Sequence, residues 1–154
     1  MSPDQSLSDE IRRLTEISEI ASLKARYCRC VDTKDWDGFA ALVTEDFHLE
    51  SDAGVQKGRD EIVSSLSKAL SDATTVHHVH NPEITITGSN TATAIWPMND
   101  YAIFPGEESD YRVRGYGHYH EEYVRTGDGW RIKRCALKRL RVDAEGELPA
   151  RFRR

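Results

Sequence analysis

Histidine carries the first chemical signal in this chain. Three of its six histidines fall within four positions in VHHVHNPEI (His77, His78 and His80), two more sit in YGHYH (His118 and His120), and His48 stands alone. Imidazoles at this density point to acid–base chemistry, to metal ligation or to polar strand surfaces. The His78/His80 and His118/His120 spacings each put two imidazoles on one face of a strand, a common ligand arrangement in β proteins. Strand parity groups His78 and His80 with Ile84 and Ile86, and His77 with Val79, unless Pro82 interrupts the count. Parity alone leaves open which face turns inward.

Carboxylates supply the second signal. In TATAIWPMNDYAIF the positions Ala92, Ala94, Trp96, Met98, Ala102 and Phe104 form one apolar face, and Asp100 sits within it. An unpaired carboxylate there is costly, so Asp100 is expected to be hydrogen-bonded, partly protonated, or facing a polar spot in a cavity. Trp96 and Met98 are expected to wall that cavity against a substrate. Tyr27 lies on an apolar helical stripe, where its ring has a reason to be buried and its hydroxyl needs a partner. Asp32 follows five residues later, about 140° around an ideal helix, so the two share a cavity only if the helix ends near Val31. By composition alone Asp32 reads as a turn residue beside Asp35 and Asp37, and Arg139, in ALKRLRV, as one more charge on a basic edge strand.

The elements that must position these residues divide the chain in two. Ser8 can cap a helix whose apolar positions Ile11, Leu14, Ile17, Ile20, Leu23, Tyr27 and Val31 recur at three- and four-residue spacing. A shorter helix is expected from Trp36 to Leu42, a strand and turn in EDFHLESDAG, and a third helix in GRDEIVSSLSKAL. After Ala73 come four β-rich runs, roughly 74–87, 91–104, 111–125 and 130–142, joined by the turn-forming TGSN, PGEESD and TGDG. Helices first and an antiparallel meander second is an α+β layout, with the sheet wrapped around the long helix. The βαβ alternation that a nucleotide-binding fold requires is missing.

Length and composition bound the class. The 154 residues suffice for one domain, expected over 8–143 with flexible ends at 1–7 and 144–154. With 38% hydrophobic and 31% charged residues, and no apolar run of membrane-spanning length, the chain reads as a soluble protein with no membrane partner. Its first residues lack a basic head followed by an apolar stretch, so a cytoplasmic location is expected. Three cysteines form no closed disulfide set and are expected to be reduced. A net charge of −5 argues against nucleic acid as a partner.

The order of long helix, WDGFAALVTEDF, GRDEI helix and curled meander resembles the SnoaL-like branch of the ketosteroid isomerase and scytalone dehydratase superfamily. Within it, LKARYCRCVDTKDWD, HHVHNPEITI with NTATAIW, and NDYAIF are most similar to the bile-acid 7α-dehydratases, over nearly the whole chain. The resemblance implies a cone-shaped, cystatin-like α+β domain with a curved, mixed, mostly antiparallel sheet around the N-terminal helix and an apolar cavity. It also implies roles: His77 as base, Asp32 orienting it, Tyr27 polarising a carbonyl or donating a proton, and Asp100 donating to a developing enolate. Arg139 would bind a substrate carboxylate or a carrier phosphate. Ser51 or its neighbours stand where those enzymes have a tyrosine, which bears on whether the reaction is the same.

The function implied is a dehydratase or isomerase that needs no cofactor and no metal, acting on a small hydrophobic carbonyl compound of steroid or polyketide type. Two other readings compete with it: a non-catalytic small-molecule-binding or scaffold subunit like the small subunit of ring-hydroxylating dioxygenases, and a metal enzyme using the paired histidines. A homodimer or homotrimer is expected through the outer sheet face, from Trp96, Tyr101, Tyr116, Tyr119 and Tyr123.

Overall fold

The computed structural model describes residues 3–149. Its elements, in chain order, are α1 (Pro3–Thr33), α2 (Trp36–Ala40), β1 (Val43–Ser51), β2 (Gly54–Lys57), α3 (Arg59–Ala69), β3 (Thr74–Val79), β4 (Glu83–Gly88), β5 (Thr91–Phe104), β6 (Tyr111–Thr126) and β7 (Gly129–Glu145). One mixed sheet runs β2-β1-β7-β6-β5-β3, with β4 also on β5. The β1–β7 pair is parallel and the other pairs are antiparallel. This is the expected α+β architecture, a curved sheet closed by α1.

α1 begins at Pro3 rather than at Ser8, with proline's fixed φ suited to a first helical turn. It buries only its second half: Ile20, Leu23, Tyr27 and Val31 lie in the core, whereas Ile11 and Leu14 are 56% and 59% exposed. The apolar stripe read from the sequence therefore overruns the sheet that covers it. α1 stops at Thr33, and Asp35 then caps α2, its side chain accepting the Gly38 N–H at 2.9 Å. The expected 74–87 run is two strands, because Pro82 cannot continue the ladder and the chain restarts at Glu83. That break resets parity: Ile84 and Ile86 pack on the core, while His78 is exposed.

β6 turns Gly115, Gly117, Tyr119, Glu121 and Tyr123 inward, where they are buried. Register shifts at Tyr116/Gly117 and Glu122/Tyr123 between β6 and β7 add local twist, which helps the sheet curl. Trp96, Tyr119 and Tyr123 are core residues at 1–4% exposure, so the outer aromatic surface expected to drive association is reduced to Tyr101 and Tyr116. All three cysteines are free and buried. No helix among the described residues is long and apolar enough to cross a membrane. Of the expected flexible end 144–154, residues 150–154 lie outside the described residues, and β7 runs on to Glu145.

Candidate active site

Asp32 and His77 meet where the last turn of α1 crosses β3. His77 Nδ1 lies 2.7 Å from Asp32 Oδ1, and the His77 backbone N–H donates to Asp32 Oδ2 at 2.9 Å. Thr75, two residues along the same strand face and buried, donates its hydroxyl to Oδ1 at 3.0 Å. Half-burial pushes the Asp32 carboxyl up, but the two bonds from His77, its charge and the Thr75 hydroxyl outweigh it and hold Asp32 below its ordinary value. With Nδ1 committed to Asp32, Nε2 is the ring nitrogen left to take a proton.

His77 opens onto a pocket of about 210 Å³. Leu70, Ala102, Phe104 and Val113 give it apolar walls, and Thr75, His77, Asp100 and Arg139 give it polar ones. A larger groove of about 660 Å³ lies between the exposed part of α1 and the β6–β7 turn; it contains neither Asp32 nor His77. The His77–Asp32 pair belongs to the smaller space.

Asp100 does project inward from β5, as alternation requires, and sits opposite His77 in the β3–β5 register. Its two oxygens accept Arg139 Nη1 and Nη2 at 2.8 and 2.7 Å. Burial works against the Arg139 charge, yet the Asp100 bonds prevail and raise the guanidinium above its ordinary value, with Asp52 a further carboxylate 3.5 Å from Nε. This corrects two expectations. The Asp100 oxygens are already engaged as acceptors rather than poised as a donor to an enolate, and the Arg139 fork is filled by Asp100 rather than open to a substrate anion.

Tyr27 is not among the residues lining the pocket. α1 continues two residues past Val31, so Tyr27 and Asp32 face different ways, and Tyr27 lies in the core at 5% exposure. Its ring packs 5.1 Å from Phe39 and 6.4 Å from Tyr119. Burial first, then the neighbouring Cys135, Tyr119 and Glu121, push its phenol well up, so it stays protonated in a dry setting. Trp96 and Met98 are likewise core residues rather than pocket walls; the Trp96 indole donates to the Tyr123 hydroxyl at 2.9 Å.

The core also holds a polar cluster that the sequence did not announce. Lys24 Nζ is 2.6 Å from Glu121 Oε1, both side chains wholly buried, and the ammonium sits 4.0 Å from the centre of the Tyr27 ring and 3.7 Å from that of Tyr119. Burial opposes the Lys24 charge, and Glu121 prevails to raise its pKa. Tyr123 donates to the other Glu121 oxygen. Inward alternation of Tyr119, Glu121 and Tyr123 in YGHYHEEYV was the available signal. His78 Nδ1 and His80 Nε2 both lie against the Asn99 side chain, at 3.4 and 2.9 Å, and the His118 and His120 ring centres are 6.5 Å apart. Among the described residues no group of three or more His, Cys, Asp or Glu is placed to hold a metal ion.

Comparison with known proteins shows which family this α+β domain belongs to. Residues 12–136 match the model of the SnoaL-like domain, and the chain belongs to that family. It is 26% identical over 129 residues to Probable cyclase FGR4 of Gibberella zeae, covering 76% of this chain and 86% of that protein. Among solved structures it is similar to an NTF2-like protein with a cystatin-like fold from Novosphingobium aromaticivorans, at 23% identity and TM-score 0.70, over 91% of this chain and 92% of the other. It is also similar to hexachlorocyclohexane dehydrochlorinase LinA-type3 from Novosphingobium barchaimii, at 14% identity and TM-score 0.76, over 90% and 96%. These likenesses establish the fold.

Proposed function

We propose that this chain is a cofactor-independent lyase or isomerase that removes a proton next to the carbonyl of a neutral, hydrophobic, ring-containing substrate. The observation that carries this reading is the 2.7 Å His77–Asp32 contact at the wall of the pocket. Asp32 holds Nδ1–H, so the substrate C–H proton goes to Nε2 and leaves an enolate. In the dehydratase form of the reaction the enolate electrons make the new C=C bond and expel a β-hydroxyl, which takes the proton back from the imidazolium and departs as water. In the isomerase form the same proton returns to a different carbon.

Pocket size and charge support a substrate class. About 210 Å³ is below the roughly 300–1,000 Å³ usual for drug-sized ligands, so one or two rings fit, or one end of a longer molecule. Because Arg139 is already neutralised by Asp100, a neutral ketone suits the pocket better than a carboxylate. The test is an absorbance screen of hydroxyketones with one to four rings for formation of the conjugated enone. Turnover that His77→Ala removes supports the reading, and turnover that His77→Ala leaves intact overturns it.

A further inference from the structure

Asp32 is held by more than His77. Its Oδ1 also accepts the hydroxyl of buried Thr75 at 3.0 Å, and Thr75 Oγ1 in turn lies 2.8 Å from Lys34 Nζ, an ammonium that can only donate. A hydroxyl that accepts from an ammonium has its own proton to give, and Asp32 is the acceptor beside it. Lys34 thereby sets the direction of the chain, Lys34 to Thr75 to Asp32, with the His77 ring meeting the same oxygen from the other side.

Lys34 reaches this position through an unusual backbone. α1 closes with Asp35 N–H on the Cys30 carbonyl at 2.9 Å and Lys34 N–H on the Val31 carbonyl at 3.3 Å, a pattern whose left-handed residue is usually glycine. Lys34 occupies it at φ 60°, the one non-glycine residue with positive φ among those described. Its Nζ also donates to the Val31 carbonyl at 3.2 Å, so helix capping accounts for one of its contacts but not for the bond to Thr75.

We propose, building on the His77 base reading above, that Lys34 is a positioning residue: acting through Thr75, it fixes and partly offsets the Asp32 carboxylate so that His77 stays available as a base. A carboxylate 2.7 Å from an imidazole favours the imidazolium, and a histidine held in that form abstracts nothing. A cation on the far side of the carboxylate opposes that outcome. The charged groups facing His77 are Asp32 at the end of α1, Lys34 behind it, Asp100 across β5, and Arg139 of β7, which is paired to Asp100. The last two offset one another, which leaves Lys34 as the counterweight to Asp32.

The test reads the His77 ring by NMR during a pH titration of the unliganded protein, with the resonance assigned from His77→Gln. Lys34→Gly suits the left-handed backbone and so preserves the fold. A unit charge acting at no more than roughly 8 Å, the reach of the Lys34–Thr75–Asp32–His77 chain, through an effective dielectric of roughly 20–80 predicts that its loss raises the His77 midpoint by about 0.4–1.5 pH units. Thr75→Val moves the midpoint in the same direction, and Lys34→Arg, which keeps a donor cation, leaves it near that of the wild type. A midpoint unmoved in both Lys34→Gly and Thr75→Val overturns the proposal and reduces Lys34 to a helix cap. Because no substrate enters this measurement, the shift can be present while every hydroxyketone fails to react; that combination sinks the proposed reaction and upholds the Lys34 relation.

Discussion

Asp100 and Arg139 reach each other from β5 and β7 across the strand that separates them, and they do so over a residue with no side chain, Gly115. A Cβ added at Gly115 would run into both Arg139 Nη1 and Asp100 Oδ1. The two hydrogen bonds of 2.8 and 2.7 Å therefore depend on an absence in β6 as much as on the charges themselves. Gly115→Ala should force the pair apart and cost about 1–3 kcal/mol, the usual range for overpacking a filled site, read as a lower urea midpoint at unchanged slope. An unchanged midpoint would show that the guanidinium has room to move aside.

The Lys24–Glu121 pair predicts an asymmetric response to mutation. Lys24→Met leaves a buried carboxylate without its cation and should destabilise by about 3–5 kcal/mol, whereas Lys24→Met combined with Glu121→Leu should recover much of that loss. Urea denaturation of the two variants decides it. A double variant as unstable as the single one would mean that the Tyr123–Glu121 bond carries most of the stabilisation.

Kinetics separates His77 from its neighbour in sequence. On any accepted substrate His77→Ala should lose about a hundred- to ten-thousand-fold in turnover, and His78→Ala, whose side chain is exposed beside Asn99, should stay close to wild type. Asp32→Asn should lower kcat with KM nearly unchanged, because it disturbs the tautomer and the imidazolium rather than the pocket walls. Equal activity in all three variants would remove catalysis from this part of the fold.

Asp32 also makes stability depend on pH. Its folded pKa is lowered from 3.8, so in acid the unfolded chain binds the proton more readily than the folded one. Its contribution is fully present above the unfolded value near pH 4 and is lost as pH falls through the lower folded value. Asp32→Asn should therefore flatten the stability curve below about pH 4. Thermal melts from pH 2 to 7 test this, and parallel curves for the two proteins would contradict it.

The residues that the sequence exposes most clearly are those whose direction follows from simple alternation. Asp100 shows this best: its place within an apolar face of β5 correctly turns it inward, but nothing local to it announces Arg139, 39 residues away on another strand. Tyr27 and Asp32 turn on where α1 ends, and two residues of helix beyond Val31 are enough to separate them. His77 required the break at Pro82, which parity cannot count across. Thr75 and Lys34 gave no signal, since a threonine in a strand and a lysine in a turn are ordinary until the fold sets them beside the same carboxylate.

The Asp32–His77 contact is carried by α1 and β3, while Phe104, Val113 and Leu70 shape the pocket from the far end of β5, the start of β6 and the residue after α3. Reagent and mould thus sit on separate pieces of chain. If the pocket takes a substrate as proposed, exchanging Phe104 or Val113 for a smaller or larger apolar residue should alter which molecule is admitted without moving the imidazole or its carboxylate. On the proposed reading, a lineage built on this scaffold could change its diet one wall at a time while the Asp32–His77 pair stays where it is.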